Sequence, residues 1–188
     1  LGGIEVRDTV QRALGFIART GPATDQDRWE EDAGVNPFTL AVCIAALVAG
    51  ATFVDPATRE FVLALADDWN ARIEDFTAVS DTGLARRLGV AGYYVRVAPS
   101  AVFCDEQALH RRMPIKNRLQ EAAPPADEQV STDALQLVRF GLRGADDALV
   151  RDTVAVIDAL LRVEMPTGQA WRRYNGDGYG EHEDGAPY

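Results

Sequence analysis

A run of acids around a single tryptophan, Asp27-Arg28-Trp29-Glu30-Glu31-Asp32, is the part of this 188-residue chain whose residue types could do chemistry. Acidic clusters are ordinarily solvated surface, because Asp and Glu are mostly exposed. Trp29 supports a second reading: a large apolar ring against a carboxyl favours its protonated form, which suits a general acid. Cleavage of a bond between sugars needs such an acid to protonate the departing oxygen, and a second carboxylate across the ring. Glu30 is the candidate acid. Asp27 and Glu31 would then hold sugar hydroxyls, since carboxylates accept the hydrogen bonds that hydroxyls donate.

The elements that must position this loop are helical. Val6, Val10, Leu14 and Ile17 recur at three- and four-residue spacing and predict a helix over 4–18, which Thr20-Gly21-Pro22 ends. Residues 23–36 have no apolar period and read as a loop. Pro37 suits a first helical position, and 38–50 is apolar almost all round, so that helix is expected to be buried on most sides. Asp55-Pro56 reads as a cap before a helix reaching 76, with Phe61, Val62, Leu65, Trp69 and Ile73 on one stripe and Trp69 in the core. Between 77 and 130 the pattern breaks into short pieces, including a brief strand over 93–97 and a Pro-rich turn at 122–127. Helix returns at 134–142 behind a Ser131-Thr132-Asp133 cap, and at 146–163, where Leu149, Val150, Val154, Ile157, Leu160 and Leu161 form a broad stripe. Residues 164–188 show no period and read as a long loop. Helices joined by alternating short and long connections suggest a mainly α fold of antiparallel pairs whose long loops gather at one end.

Composition narrows the partners. The formal charge of −10, from 29 acidic against 19 basic residues, argues against nucleic acid, which demands clustered Lys and Arg. A neutral partner such as a polysaccharide fits better. The apolar run 38–54 falls short of the ~20 residues a membrane span requires, so no membrane partner is expected. Cys43 and Cys104 make no disulfide framework or zinc pattern and are expected to be buried small hydrophobes. His110 and His182 lack a second ligand at metal spacing, and His182 is expected to be solvated. Asn175-Gly176-Asp177-Gly178-Tyr179-Gly180 has the look of a calcium loop but offers Tyr at its fifth position and no Glu at its twelfth; calcium stays a minor alternative, and no metal or cofactor is assigned. Trp171, in a Gly-rich stretch beside Arg173, fits either sugar stacking or loop packing.

Several segments together resemble the glucoamylase type of glycoside hydrolase, family 15, in its bacterial and archaeal branch. They are Thr20-Gly21-Pro22-Ala23-Thr24 with Gln26-Asp27-Arg28-Trp29-Glu30-Glu31-Asp32-Ala33-Gly34, then Gly89-Val90-Ala91-Gly92-Tyr93-Tyr94-Val95-Arg96, Pro114-Ile115-Lys116-Asn117-Arg118, Val138-Arg139-Phe140-Gly141-Leu142-Arg143, and Arg173-Tyr174-Asn175-Gly176-Asp177-Gly178-Tyr179-Gly180-Glu181. The resemblance implies Glu30 as general acid, with Asp27, Trp29, Glu31, Arg173 and Asp177 in the sugar pocket. Asp177 would orient a hydroxyl or hold Arg173 in place.

It also implies a six-hairpin (α/α)6 toroid that releases glucose from the non-reducing ends of α-glucans with inversion at the anomeric carbon. The family's catalytic base lies in a late segment that does not occur before Tyr188. Its early Arg-Asp sugar loop would precede Leu1, since Arg7-Asp8 falls inside a helix pattern. Residues 1–188 are therefore expected to form a single domain that is a fragment of a six-hairpin glycosidase catalytic domain, inactive alone, with uncovered helix faces that invite self-association. Trehalose hydrolysis by the same acid and base, and a non-catalytic carbohydrate-binding half-barrel, are the alternatives.

Overall fold

The computed structural model describes residues 5–105, 107–116 and 123–179. Asn117, Arg118, Ala122, Gly180, Glu181 and His182, singled out in the sequence, lie outside the described residues.

The fold is mainly α, as expected. Helix α1 (Val6–Thr20) holds Arg7 and Asp8 in its opening turns and buries little beyond Leu14 and the flanks of Val10 and Ile17. Val6 and Phe16 on its other side are exposed. The chain leaves α1 at Gly21 because nothing larger fits: a Cβ there would stand 2.4 Å from Cη2 of Trp69. Helix α2 (Pro37–Gly50) starts where Asn36 accepts a hydrogen bond from the Thr39 amide, with Pro37 supplying a preset φ. It is the core's central rod: Leu40, Ala41, Ile44 and Leu47 are buried, while Val48 faces out.

Helix α3 (Pro56–Ala71) packs along α2 through Val62, Ala66 and Trp69. Trp69 is a core residue, as its spacing implied. Phe61, placed on the buried stripe by the same spacing, is exposed instead, because the face that α2 covers is centred one position later. The expected single helix to 76 breaks at Arg72, and α4 (Ile73–Thr77) continues in a new direction that buries Ile73 and Phe76.

Asp55 caps α3, accepting the Ala57 and Thr58 amides at 3.1 Å and the Thr58 hydroxyl at 2.6 Å. The Thr58 hydroxyl above all, then the amides, holds its carboxyl below the ordinary range. A carboxyl lowered on folding stabilises the native state above its unfolded value of about 3.9, and that contribution disappears as pH falls through the folded value. Asparagine keeps the acceptor without the titration. Between about pH 6 and about pH 2, Tm of Asp55→Asn is therefore expected to fall less than that of the parent chain. Equal slopes would remove the assignment.

The middle of the chain is short pieces. Strand β1 (Ala78–Ser80) pairs antiparallel with β2 (Gly92–Tyr94) in the register Ala78↔Tyr94, Val79↔Tyr93, Ser80↔Gly92, enclosing α5 (Gly83–Leu88). Tyr93 and Tyr94 are both buried and point apart: Tyr93 Oη donates to the Asp127 carbonyl, and Tyr94 Oη to Glu74. The expected helix over 134–142 is a 3-10 turn, Thr132–Leu135, followed by the four-residue α6 (Gln136–Arg139). Arg143 then reaches back, with Nε and Nη2 on Glu74 at 2.7 and 2.6 Å and Nη1 on Asn70 at 2.8 Å, and ties this turn to the α3–α4 break.

Helix α7 (Ala148–Leu161), capped by Asp147, buries Val150, Thr153, Val156, Ile157 and Leu161 against β2 and the core. Val154 of the expected stripe is exposed. The tail, expected as one long loop, opens with a hairpin: β3 (Arg162–Met165) pairs with β4 (Gly168–Trp171). Only Val163 and Ala170 lean inward, so the apolar alternation is too weak to read as strand. Cys43 is half-buried, which pushes its thiol up, whereas Cys104, expected inside, is exposed at the end of a 3-10 turn.

Candidate functional site

Residues 21–36 form a loop clamped at its base. Thr24 and Gly34 exchange both amide hydrogen bonds at 2.9 Å, and Val35 does the same with Ala98 at 2.8 and 2.9 Å. The two clamps lay the acidic loop against the segment that follows β2.

Asp27 shapes the loop. Its Oδ1 accepts the amides of Trp29 at 2.9 Å and Glu31 at 3.2 Å, and its carbonyl accepts the Glu30 amide at 3.1 Å. This tight turn leaves Glu30 at φ +61°, a left-handed conformation that a non-glycine residue adopts at a cost of about 1–2 kcal/mol. Such outliers persist where their surroundings over-determine them, and they concentrate at functional sites. Glu30 is exposed, while its neighbours in the run, Asp27, Glu31 and Asp32, are each 5% exposed.

Arg96 compensates the buried acids. Its Nη2 lies 3.0 Å from Asp27, 3.1 Å from Glu31 and 2.6 Å from Asp32. Nη1 donates to Gln129 Oε1 at 3.2 Å, and the guanidinium stacks 3.8 Å from the centre of the Tyr174 ring. The three carboxylates have the spacing of a cation site, but a guanidinium already occupies their common centre. The Tyr174 hydroxyl also donates to Glu31. Burial and that bond push its phenol up, so it stays a proton donor.

Arg173 closes the other side. It holds Asp177 in a two-point pair at 2.5 and 2.6 Å, which raises its own affinity for the proton, and reaches Glu31 at 3.3 Å. Of the two roles open to Asp177, the geometry has it gripping Arg173. The Arg173 guanidinium lies over the rings of Trp29 and Tyr179, both at 4.8 Å. Arg28 stacks on Trp29 at 4.4 Å and on Phe38 at 4.7 Å, with its charge 3.5 Å from the fully buried Asp133. Burial raises the Asp133 carboxyl, opposed by the hydrogen bond from Asn36 and the charge of Arg28.

The structure thus brings Asp27, Trp29, Glu31, Arg173 and Asp177 into one cluster, to which Glu30 is joined through the 27–31 turn. Two expectations change. Trp29 engages Arg28 and Arg173 and does not wall off an apolar niche, so the exposed Glu30 carboxyl lacks the shielding read from the sequence. Trp171 belongs to the outer hairpin, where its indole Nε1 donates to Asp158 of α7 at 2.8 Å; among the described residues it makes no hydrogen bond or ring contact with the cluster.

Sequence reasoning assigned no role to Arg96, Tyr174 or Asn36, and read Asp133 only as part of a helix cap. A signal was present for Arg96: a charge inside the apolar run 93–98 must be paired if that run is buried.

A helical domain that collects acids, arginines and aromatic rings on converging loops is a frame suited to small polar ligands such as carbohydrates. The chain belongs to the glycosyl hydrolases family 15, whose sequence profile matches residues 4–188. It is 33% identical over 187 residues to the glucoamylase of Clostridium sp. (strain G0005), an alignment covering 94% of this chain and 24% of that protein. The crystal structure of a bacterial glucoamylase complexed with acarbose matches with a TM-score of 0.83 at 30% identity, covering 98% of this chain and 27% of that one. The chain therefore spans about a quarter of the length of these relatives.

Proposed function

We propose that this segment supplies the acid-bearing side of an α-glucan pocket, in which Glu30 protonates the glycosidic oxygen of a glucose unit leaving the non-reducing end, with inversion. The observation that carries this reading is Glu30 itself. It is an exposed carboxyl held in a left-handed turn between buried, charge-paired acids. The Asp27-centred turn fixes that conformation, and strained backbone of this kind concentrates at functional sites.

Arg173 offers guanidinium donors, and Trp29 and Tyr179 offer ring faces on which pyranose C–H groups can pack. Asp27 has its oxygens committed to backbone amides and Arg96, so we assign it to shaping the turn and not to gripping sugar. Glu31, bound to Arg96, Arg173 and Tyr174, orients the donors around the pocket. The second carboxylate that activates water belongs, in this proposal, to chain outside residues 1–188. This segment alone then binds without hydrolysing.

Acarbose, the ligand named with the related crystal structure, tests the pocket. A ligand that binds only the native state stabilises it by RT ln(1 + [L]/Kd), about 2.7 kcal/mol at a hundredfold excess over Kd. Tm of the 188-residue chain is expected to rise with acarbose, to stop rising in Trp29→Ala, and to be accompanied by no glucose release from maltose. Absence of any shift at millimolar acarbose would end the sugar-pocket reading. With the segment in a complete family catalytic domain, a panel of maltose, isomaltose and trehalose reports the second sugar's subsite.

A further inference from the structure

Arg96 is the most buried cation among the described residues, with 1% of its side chain exposed, too little for a substrate to reach it. Its backbone is fixed from two sides: the amide donates to the Gln129 carbonyl at 2.7 Å, and the carbonyl accepts from Asn36 Nδ2 at 2.9 Å. Two residues on, Ala98 is clamped to Val35. Its guanidinium therefore projects from a rigid strand end into the loop that carries Glu30.

The carboxylates it draws in come from positions 27, 31 and 32, on both sides of Glu30. Without a cation between them these buried charges repel, and the loop would relax by turning one or more toward water. Once Asp27 turned away, the Trp29 and Glu31 amides would lose their acceptor and Glu30 would have no reason to keep its left-handed conformation. The geometry is particular to arginine. One terminal nitrogen serves three carboxylates, the other terminal nitrogen serves Gln129, and the plane stacks on Tyr174. A lysine ammonium has no second nitrogen and no flat face.

We propose that Arg96 is a positioning residue: from beneath the loop it pins Asp27, Glu31 and Asp32 and so sets the turn that presents Glu30. Its link to catalysis rests on the proposal that Glu30 is the general acid; its hold on the turn does not.

Amide hydrogen exchange on the 188-residue chain tests it, with Arg96→Met removing the charge and Arg96→Lys keeping it without the fork. In Arg96→Lys the amides of Trp29, Glu30 and Glu31 are expected to exchange about tenfold faster or more, while core amides of α2 and α7 keep their protection. Unchanged exchange at 29–31 overturns the proposal. So does acceleration spread evenly through α2 and α7, which would make Arg96 a support of the whole fold.

In a complete family catalytic domain, the same Arg96→Lys is expected to lower kcat for maltose by about a hundredfold, with a much smaller change in KM, because a misplaced acid fails in the transition state. Faster exchange at 29–31 with kcat unchanged would retain Arg96 as the turn's anchor and refute Glu30 as the acid, so the two readings fail separately.

Discussion

Replacing Glu30 by glutamine, with the segment joined to the rest of a family 15 catalytic domain, is expected to lower kcat on maltose by about 10²–10⁴-fold, the usual contribution of a positioned general acid. Glutamine keeps the size and hydrogen-bonding reach of the side chain and loses only the transferable proton. KM should move little, since the proposed sugar contacts are Arg173 and the aromatic faces. A substrate whose leaving group departs without protonation, such as an activated fluoride, should be spared most of the loss, which separates proton donation from damage to the turn. Tm should stay close to the parent value, because Glu30 is exposed and has no assigned structural bond through its side chain. Undiminished maltose hydrolysis would transfer the acid's role to another residue.

The largest expected stability effect lies four residues later. Gly34 sits at φ +143°, and a Cβ there would stand 2.2 Å from the Ala98 carbonyl oxygen and 2.8 Å from a Val97 methyl. The first neighbour is backbone, held by the Val35–Ala98 clamp, and cannot swing away. Strained φ and overpacking each cost about 1–3 kcal/mol, so Gly34→Ala is expected to destabilise the chain by about 3–5 kcal/mol. For a domain of this size that is a fall in Tm of about 10 °C. Chemical denaturation should show the loss as a lower midpoint. A change under about 1 kcal/mol, near the scale of an ordinary surface substitution, would mean the two clamps slide more freely than their geometry implies.

The frame was legible where local chemistry decides it. Pro37 and Asp55-Pro56 mark helix starts because a side-chain acceptor and preset φ angles act within a turn. The apolar spacing around Trp69 and Ile157 identified their helices. Legibility failed where distant packing decides: Phe61 obeys the period of α3 yet faces out, since the sequence does not say how far α2 covers that face. The β3–β4 hairpin was missed although Pro166-Thr167-Gly168 is a turn signal, because the four-residue strands on either side carry almost no apolar alternation.

The site divides in the same way. Asp27, Trp29, Glu30 and Glu31 announce themselves as one dense string, whereas the residues that organise them do not. Arg96 meets its carboxylates across 64 to 69 positions, and Asn36 meets Asp133 across 97, separations that leave no local pattern. Trp171 stays open between stacking and packing in the sequence because it is near Arg173, and the hairpin that turns its indole to Asp158 of α7 carries almost no apolar alternation.

The hydroxyl of Tyr174 meets Glu31 across 143 positions. A chain emerging from the ribosome must therefore have almost all of these residues available before the acidic loop receives its last partner. Closing so long a loop is a late event in folding, since its entropic cost is repaid only after the surrounding helices have docked. The acidic edge would be finished last and would be the first part to come undone, while the helices beneath it remain assembled.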